Sequence, residues 1–341
     1  MDETAILLIY TGGTIGMISD EKSGALVPFN FDNINNHIPE LTRFKYKIGF
    51  HSFDPILDSS NIHIETWIEL GQIIKSNYDN YDGFVIMHGS DTMAYTASAL
   101  SFILENLNKP VVFTGSQLPL GVLRTDGREN LLTAIEIAAA NDEYTPMVPE
   151  VSIYFENHLM RGNRTTKYNA ENFNAFVSGN LPLLAEVGVY IKYNKNIILK
   201  PNFKKLKVHD NFDPNVAILK LYPGIKKQLI DSLFKTEGLR GVIMESFGSG
   251  NAPSEKWFID ILKNASKSGI IILNVTQCMT GAVEHGKYET SIKLETAGVV
   301  SGGDITTESA LAKMMYLLGS GHTNTKIVNL LQKSLRGEIS C

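Results

Sequence analysis

The sequence predicts an α/β fold with two α/β domains: a larger N-terminal domain with a mostly parallel sheet and flanking helices, and a smaller C-terminal parallel-sheet domain. Apolar runs bounded by Gly, Pro or Asp alternate with amphipathic stretches, a pattern typical of βαβ units. The polar stretch 201–214 has no sustained apolar period, and the alternation resumes after it. We therefore expect domains over 1–200 and 215–341, joined by a linker over 201–214.

In the N-terminal domain, short apolar runs predict strands and longer alanine-rich or amphipathic stretches predict helices. The predicted strands are 5–10, 83–87, 110–114 and 151–155, and the predicted helices are 93–107 and 127–140. The helix after residue 93 is rich in Ala and Leu, and Asn108-Lys109-Pro110 ends it. Val187 to Lys192 and Ile197 to Lys200 predict a hairpin around an Asn194-Lys195-Asn196 turn.

The C-terminal domain repeats the alternation of apolar runs and helical periods. The predicted strands are 215–221, 241–246 and 270–276, and the predicted helices are 226–235, 255–267, 307–318 and 324–335. A parallel sheet with helical connections follows from this order.

Composition restricts the classes of partner. The chain has 341 residues, of which 43% are hydrophobic and 20% charged, with a formal net charge of -5. It offers no basic field for nucleic acid and no apolar run long enough to span a membrane, so we expect a small-molecule substrate. The acidic start before the short run 5–10 is unlike a secretory signal, and Cys278 and Cys341 make no disulfide framework. We expect a cytoplasmic protein.

Two loops rich in glycine and hydroxyl groups follow predicted strands. Thr11 to Gly16 lacks the spacing of dinucleotide-binding and phosphate-binding loops, but it places Thr14 where backbone amide donors can converge. That arrangement suits a nucleophile beside an oxyanion hole, and it also suits a purely structural turn. The second loop, His88 to Thr92, adds the Ser90 hydroxyl and the Asp91 carboxylate.

A threonine nucleophile needs a partner that moves its proton. Lys167 closes the unusual run that begins at Arg161, after the predicted strand 151–155. Held beside Ser90 and Asp91 and shielded from water, this lysine can pass a proton through the serine; otherwise it is a surface cation. The histidines are scattered and form no His-Glu-x-x-His pattern, so we expect neither a metal nor a cofactor, and we interpret His88 as a hydrogen-bonded structural residue.

Three stretches together resemble the signatures of bacterial-type L-asparaginases: Thr11 to Met17, Asp82 to Met93, and Arg161 to Lys167. Further stretches at 114–117, 248–253 and 277–281 are most like the cytoplasmic, type I branch. The resemblance runs from about residue 5 to residue 337.

The resemblance implies an enzyme that hydrolyses asparagine without a cofactor. Thr14 would attack the side-chain amide to give ammonia and a β-aspartyl enzyme, which water would resolve to aspartate. Ser90, Asp91 and Lys167 would form a second catalytic group that helps to move protons; which of the two hydroxyls attacks first stays open. The substrate-binding residues would be Ser59, Ser60, Asp91, Gln117 and Asn251. Asn251 matches a residue that reaches into a neighbour's pocket, so we expect a homo-oligomer, either a dimer or a dimer of dimers.

The chain departs from the family pattern at three places. Ser90 replaces the usual threonine, and segment 17–28, which we interpret as a mobile lid, lacks the tyrosine that commonly meets the nucleophile. Glu245 stands where some type I enzymes use an arginine to bind an effector asparagine, although Cys278 of the same site is present. A carboxylate there would repel the effector, so we expect simple kinetics.

Other functions remain open from the sequence alone. A dual-specificity glutaminase-asparaginase would use the same groups, since one methylene changes binding by only about 1–3 kcal/mol. The related subunit that releases ammonia for transfer-RNA amidation would want an extra N-terminal domain and a basic surface. A non-catalytic amino-acid sensor would keep the same residues for binding only.

Overall fold

The protein is described by a computed structural model that covers residues 3–19, 26–28, 38–286 and 289–340. The chain divides into two compact units. One comprises residues 1–178 and 182–210, and the other comprises 179–181 and 211–341. Within the described residues, no helix is both long enough and apolar enough to cross a membrane.

The first unit is built on an eight-stranded sheet. Its strands are β1 (Ala5–Tyr10), β2 (Lys47–Ser52), β3 (Gly83–Met87), β4 (Val111–Thr114), β5 (Val151–Phe155), β6 (His158–Arg161), β7 (Ala185–Val187) and β8 (Ile191–Tyr193). They lie in the order β8-β7-β6-β5-β4-β3-β1-β2. The neighbours from β2 to β5 pair in parallel, and the pairs from β5 to β8 are antiparallel.

Helices cover the sheet of the first unit because its central strands are apolar along their whole length. The helices are α1 (Ile64–Asn77), α2 (Met93–Ile103) and α3 (Gly127–Ala139). Helix α3 packs on β3 and β4, and α2 packs on β5. Leu131 and Ile135 of α3 share one buried cluster with Val85 and Met87 of β3. This packing fixes the position at which the loop after β3 leaves the sheet.

Short elements connect the main ones in the first unit. Single 3-10 turns lie at Thr14–Gly16, Pro39–Arg43, Ser59–Asn61 and Gly162–Arg164. Two-stranded ladders pair Met17–Ser19 with Leu26–Pro28, Leu104–Glu105 with Lys207–Val208, Asn141–Asp142 with Thr145–Pro146, and Thr166–Lys167 with Phe176–Val177. The centre of the expected lid, residues 20–25, lies outside the described residues.

The second unit has a four-stranded parallel sheet. Its strands are β9 (Val216–Lys220), β10 (Gly241–Ser246), β11 (Ile271–Thr276) and β12 (Val300–Ser301), in sequence order, and its helices are α4 (Lys227–Phe234), α5 (Lys256–Lys267), α6 (Glu289–Thr296), α7 (Thr307–Gly319) and α8 (Asn324–Leu331). Alternate residues of β10 enter different cores. Val242 packs with Phe258 of α5, whereas Ile243 packs with Met314 of α7, so helices cover both faces of the sheet.

The two predicted α/β domains and their mostly parallel sheets are confirmed. The helix predicted over 324–335 ends at Leu331, and two further local predictions are wrong. The hairpin lies at 185–193 and turns at Gly188 to Tyr190, while residues 197–200 form no strand. The predicted helix 93–107 ends at Ile103 because Leu104–Glu105 pairs with Lys207–Val208 instead of continuing the helix. Both differences come from pairing between residues that are far apart in the sequence.

Candidate active site

The two hydroxyl-bearing loops leave the sheet side by side. Strands β1 and β3 are parallel neighbours with Tyr10 opposite Met87, so the residues that follow them emerge at the same edge. Both the backbone N–H and the hydroxyl of Thr11 donate to the carbonyl oxygen of Met87, at 3.0 and 3.2 Å. The first threonine of the motif is therefore buried and structural.

The backbones of the two loops touch at glycines. Gly13 has φ of +89°, and a Cβ built on it would lie 2.5 Å from the Cα of Gly89. Only glycine permits this approach without displacing the neighbouring loop. Thr14 and Ser90 each follow one of these glycines directly, so both hydroxyls belong to the same edge of the sheet.

Lys167 connects the two polar groups of the second loop. Its Nζ lies 2.9 Å from Ser90 Oγ and 2.7 Å from Asp91 Oδ1. The lysine side chain is only 17% exposed, whereas that of Asp91 is 67% exposed. As the ammonium, Lys167 donates to the serine oxygen; as the neutral amine, it can accept the serine's hydrogen across the same contact. The contact that sequence analysis predicts for these three residues is present.

A buried ion pair anchors the run that carries Lys167. Arg161, at the end of β6, pairs with Glu150, and both side chains are buried. Arg161 also donates to the carbonyl oxygen of Ile197 at 2.6 Å, and its own carbonyl accepts from the hydroxyl of Thr165 at 2.7 Å. This pair was not predicted from the sequence. The one feature that could have indicated it is the carboxylate of Glu150, immediately before the apolar run 151–155.

The Ser59 and Ser60 loop approaches the second hydroxyl loop. The carbonyl of Ser59 accepts from the Thr92 hydroxyl at 2.7 Å, and a Cβ on Gly89 would lie 2.6 Å from Ser59 Oγ. The backbone N–H and hydroxyl of Ser60 donate to Asp58 Oδ1 at 2.9 and 2.8 Å. These bonds, the backbone one first, hold the pKa of the Asp58 carboxyl below its ordinary value.

Gln117 and Asn251 are the two remaining predicted substrate-binding residues. The side-chain amide of Gln117 donates to the carbonyls of Asn172 at 2.9 Å and Ala170 at 3.4 Å, in the segment that follows Lys167. Asn251 belongs to the second unit, where its backbone exchanges hydrogen bonds with Phe247 at 2.8 and 2.9 Å.

His88 is buried beneath the second loop and hydrogen-bonds its backbone. Its Nδ1 lies 2.7 Å from the carbonyl oxygen of Gly89, so that nitrogen carries the hydrogen. Desolvation lowers the pKa of the imidazole to about 4. The ring is therefore neutral near pH 7 and supports the loop, which matches its interpretation as a structural histidine.

Glu245 of the second unit is engaged by its neighbours. Its Oε1 accepts from the hydroxyl of Thr307 at 2.7 Å, and its Oε2 lies 3.4 Å from Lys220 Nζ. Cys278 is exposed and free. Across the described ranges, no group of three or more His, Cys, Asp or Glu side chains could hold a metal ion.

Family models match nearly the whole chain. The model described as Asparaginase, N-terminal, matches residues 5–199, and that of the Glutaminase/Asparaginase C-terminal domain matches residues 215–331. The chain belongs to the asparaginase family.

Individual relatives are similar over nearly the whole of this chain. The chain is 42% identical to L-asparaginase 1 of Escherichia coli K12 over 341 residues, which cover 100% of this chain and 99% of that protein. It is 43% identical to the 60 kDa lysophospholipase of Mus musculus, covering 99% of this chain and 63% of that protein. The crystal structure of L-asparaginase I from Vibrio cholerae superposes with a TM-score of 0.90 at 41% identity and full coverage of both chains.

Proposed function

We propose that this protein is an L-asparaginase that hydrolyses L-asparagine to L-aspartate and ammonia through a covalent ester on Thr14. The observation that carries the proposal is the contact of Lys167 with both Ser90 Oγ and Asp91 Oδ1, at 2.9 and 2.7 Å. Amide hydrolysis by a hydroxyl nucleophile needs a proton route beside it. The backbone contact between the Thr14 and Ser90 loops supports such a route.

In the first half of the reaction, Thr14 Oγ bonds to the side-chain carbonyl carbon of asparagine. The hydroxyl proton passes to Ser90 Oγ as the serine's own hydrogen moves to Lys167, which takes part as the neutral amine and delivers a proton to the leaving nitrogen. The C–N bond then breaks and ammonia departs. We assign the stabilisation of the developing oxyanion to backbone amides of the touching loops. In the second half, water attacks the ester carbon, its proton returns to the Thr14 oxygen along the same route, and aspartate leaves.

Recognition of the substrate as a zwitterion needs one anion and several neutral donors. We assign the exposed Asp91 carboxylate to the α-ammonium group and Ser59 and Ser60 to the α-carboxylate. Gln117 and Asn251 complete the predicted substrate-binding set. The resemblance of the motifs to the type I branch supports two further parts of the proposal: a homodimer or dimer of dimers that uses Asn251 across an interface, and a cytoplasmic location.

Ammonia release from the purified protein tests the proposal. We expect release from asparagine and a lower kcat/KM for glutamine when the two amides are compared at matched low concentrations. Equal rates would indicate the dual-specificity enzyme, and no release from either amide would favour an amino-acid sensor. Thr14→Ala should bind asparagine without turning it over, while Thr42→Ala, at an exposed threonine of the same unit, should keep full activity. Wild-type activity in Thr14→Ala would remove Thr14 from its role.

A further inference from the structure

Tyr10 lies directly beneath the loop that carries Thr14. It is the last residue of β1 and is completely buried. Its phenol hydroxyl donates to the carbonyl oxygen of Gly13 at 3.0 Å. Its ring packs against Gly16 so closely that a Cβ on Gly16 would lie 2.2 Å from the ring atom Cζ. The phenol therefore contacts Gly13, the residue just before the Thr14–Gly16 turn, and Gly16, the residue that ends it.

The Gly13 carbonyl accepts a second hydrogen bond, from the backbone N–H of Gly16 at 3.3 Å. Glycine at φ +89° has few steric limits of its own, so these two bonds decide how the peptide between residues 13 and 14 is turned. In a trans peptide the C=O and the N–H point in opposite directions. Holding the Gly13 carbonyl toward Tyr10 thus holds the Thr14 N–H away from the tyrosine ring.

Burial keeps this phenol a donor. Desolvation raises the pKa of Tyr10 above its ordinary value of about 10, so the hydroxyl retains its proton throughout the pH range of ordinary assays. The bond to Gly13 is consequently present throughout that range.

We propose that Tyr10 is a positioning residue for the reaction: its hydroxyl, through the Gly13 carbonyl, fixes the peptide and the side-chain direction of Thr14. The inference rests on the proposed function of Thr14. It gives the nucleophile a fixed support from the buried side of the loop, in a chain whose segment 17–28 contains no tyrosine.

The test uses two tyrosine-to-phenylalanine variants in the same sheet. Tyr10→Phe keeps the ring against Gly16 and removes only the hydroxyl. Tyr154→Phe is the matched control, because Tyr154 is also buried, in β5, and its hydroxyl bonds the Thr133 side chain and the Asn157 backbone. We expect Tyr10→Phe to lower kcat about tenfold with KM within about twofold, since one hydrogen bond that holds reactive geometry is lost. Tyr154→Phe should lower the melting temperature comparably and leave kcat unchanged.

A second measurement does not depend on turnover. Hydrogen–deuterium exchange of the peptide spanning residues 11–17 should rise in Tyr10→Phe and stay at the wild-type level in Tyr154→Phe. An unchanged kcat and unchanged exchange in Tyr10→Phe, or equal loss of kcat in both variants, would overturn the inference. A wild-type protein that releases no ammonia would instead overturn the proposed function, and exchange at 11–17 would then show only whether Tyr10 holds the loop.

Discussion

Two lysine–carboxylate pairs of this protein have similar lengths and opposite surroundings. Lys313 Nζ lies 2.6 Å from Glu338 Oε1 in the second unit, with both side chains 0% exposed, and the lysine also donates to the carbonyls of Leu331 and Lys333. Lys167 lies 2.7 Å from Asp91 in the first unit, with the carboxylate 67% exposed. The first pair is closed to solvent and satisfied by backbone groups. In the second pair, the exposed Asp91 carboxylate is accessible to a ligand.

The difference indicates what each pair does. Burial lowers the pKa of the Lys313 ammonium, and the neighbouring Glu338 carboxylate opposes that shift. Removing either partner would leave a buried charge without compensation. Glu338 in turn accepts backbone N–H groups of Leu335 and Arg336, at 2.7 to 3.0 Å, which ties down the C-terminal segment. We infer that the buried pair serves stability and the open pair serves chemistry.

Removing the open lysine should give the largest effect, and the effect should be on activity. Lys167→Met should lower kcat by about 10²- to 10⁴-fold, because it removes the group that moves protons through Ser90. Its free energy of unfolding should change by less than about 1 kcal/mol, as for other partly exposed pairs. The control is Lys195→Met, which removes a surface lysine 2.6 Å from Asp142 in the same unit and should keep wild-type kcat. Equal kcat values in Lys167→Met and Lys195→Met would contradict the catalytic role of the Lys167–Asp91 pair.

Removing the buried lysine should affect stability in the first place. Lys313→Met leaves Glu338 buried without its cation, so the free energy of unfolding in urea should fall by about 3–5 kcal/mol. Lys235→Met, which breaks the exposed pair with Asp231 in the same unit, should lose less than about 1 kcal/mol. Equal free energies of unfolding for Lys313→Met and Lys235→Met would contradict the stabilising role of the buried pair.

A buried ionisable group without a charged partner should respond to acid. Folding lowers the pKa of His88 to about 4, whereas the unfolded chain protonates near 6.5, so the unfolded state binds more protons between these values. The stability that His88 contributes is complete above about pH 6.5 and is lost as the pH falls toward 4. Between pH 7.5 and pH 5, wild-type protein should lose about 2 kcal/mol more than His88→Gln. The exposed His51→Gln variant should follow the wild type; parallel curves for all three proteins would contradict this.

The smallest expected effect concerns the shape of the saturation curve. Glu245 is held by Thr307 and Lys220, and its carboxylate would repel the carboxylate of a second asparagine at that place. We expect hyperbolic kinetics with asparagine, with a Hill coefficient near one. Sigmoidal kinetics with a coefficient well above one would show that an effector site persists.

The strands were predictable where local sequence decides them. The buried strands 83–87, 151–155 and 241–246 were predicted with the ends they have, because each is an apolar run between polar or glycine residues. The hairpin was misplaced because β7 forms through its pairing with β6, and no local pattern between 187 and 200 reports that partner. Helix α2 was extended too far for the same reason.

The candidate site was predictable only in part from the residues. Charge and hydroxyl content pointed to Thr14, Ser90 and Asp91. Lys167, 76 residues beyond Asp91, was a candidate from the residues with a surface cation as the alternative, and family resemblance favoured the catalytic role. The supports of the site were missed. Tyr10 reads as one more apolar residue of β1, and the pair of Glu150 with Arg161 becomes visible only when β5 and β6 form their antiparallel turn.

Acid-quenched single-turnover reactions with asparagine, followed by peptide mass spectrometry, locate the covalent ester on the protein. We expect an aspartyl ester on the peptide that contains residues 11–17, located at Thr14, and its absence in Thr14→Ala. An ester on Ser90, or turnover at the wild-type rate by Thr14→Ala, would contradict it.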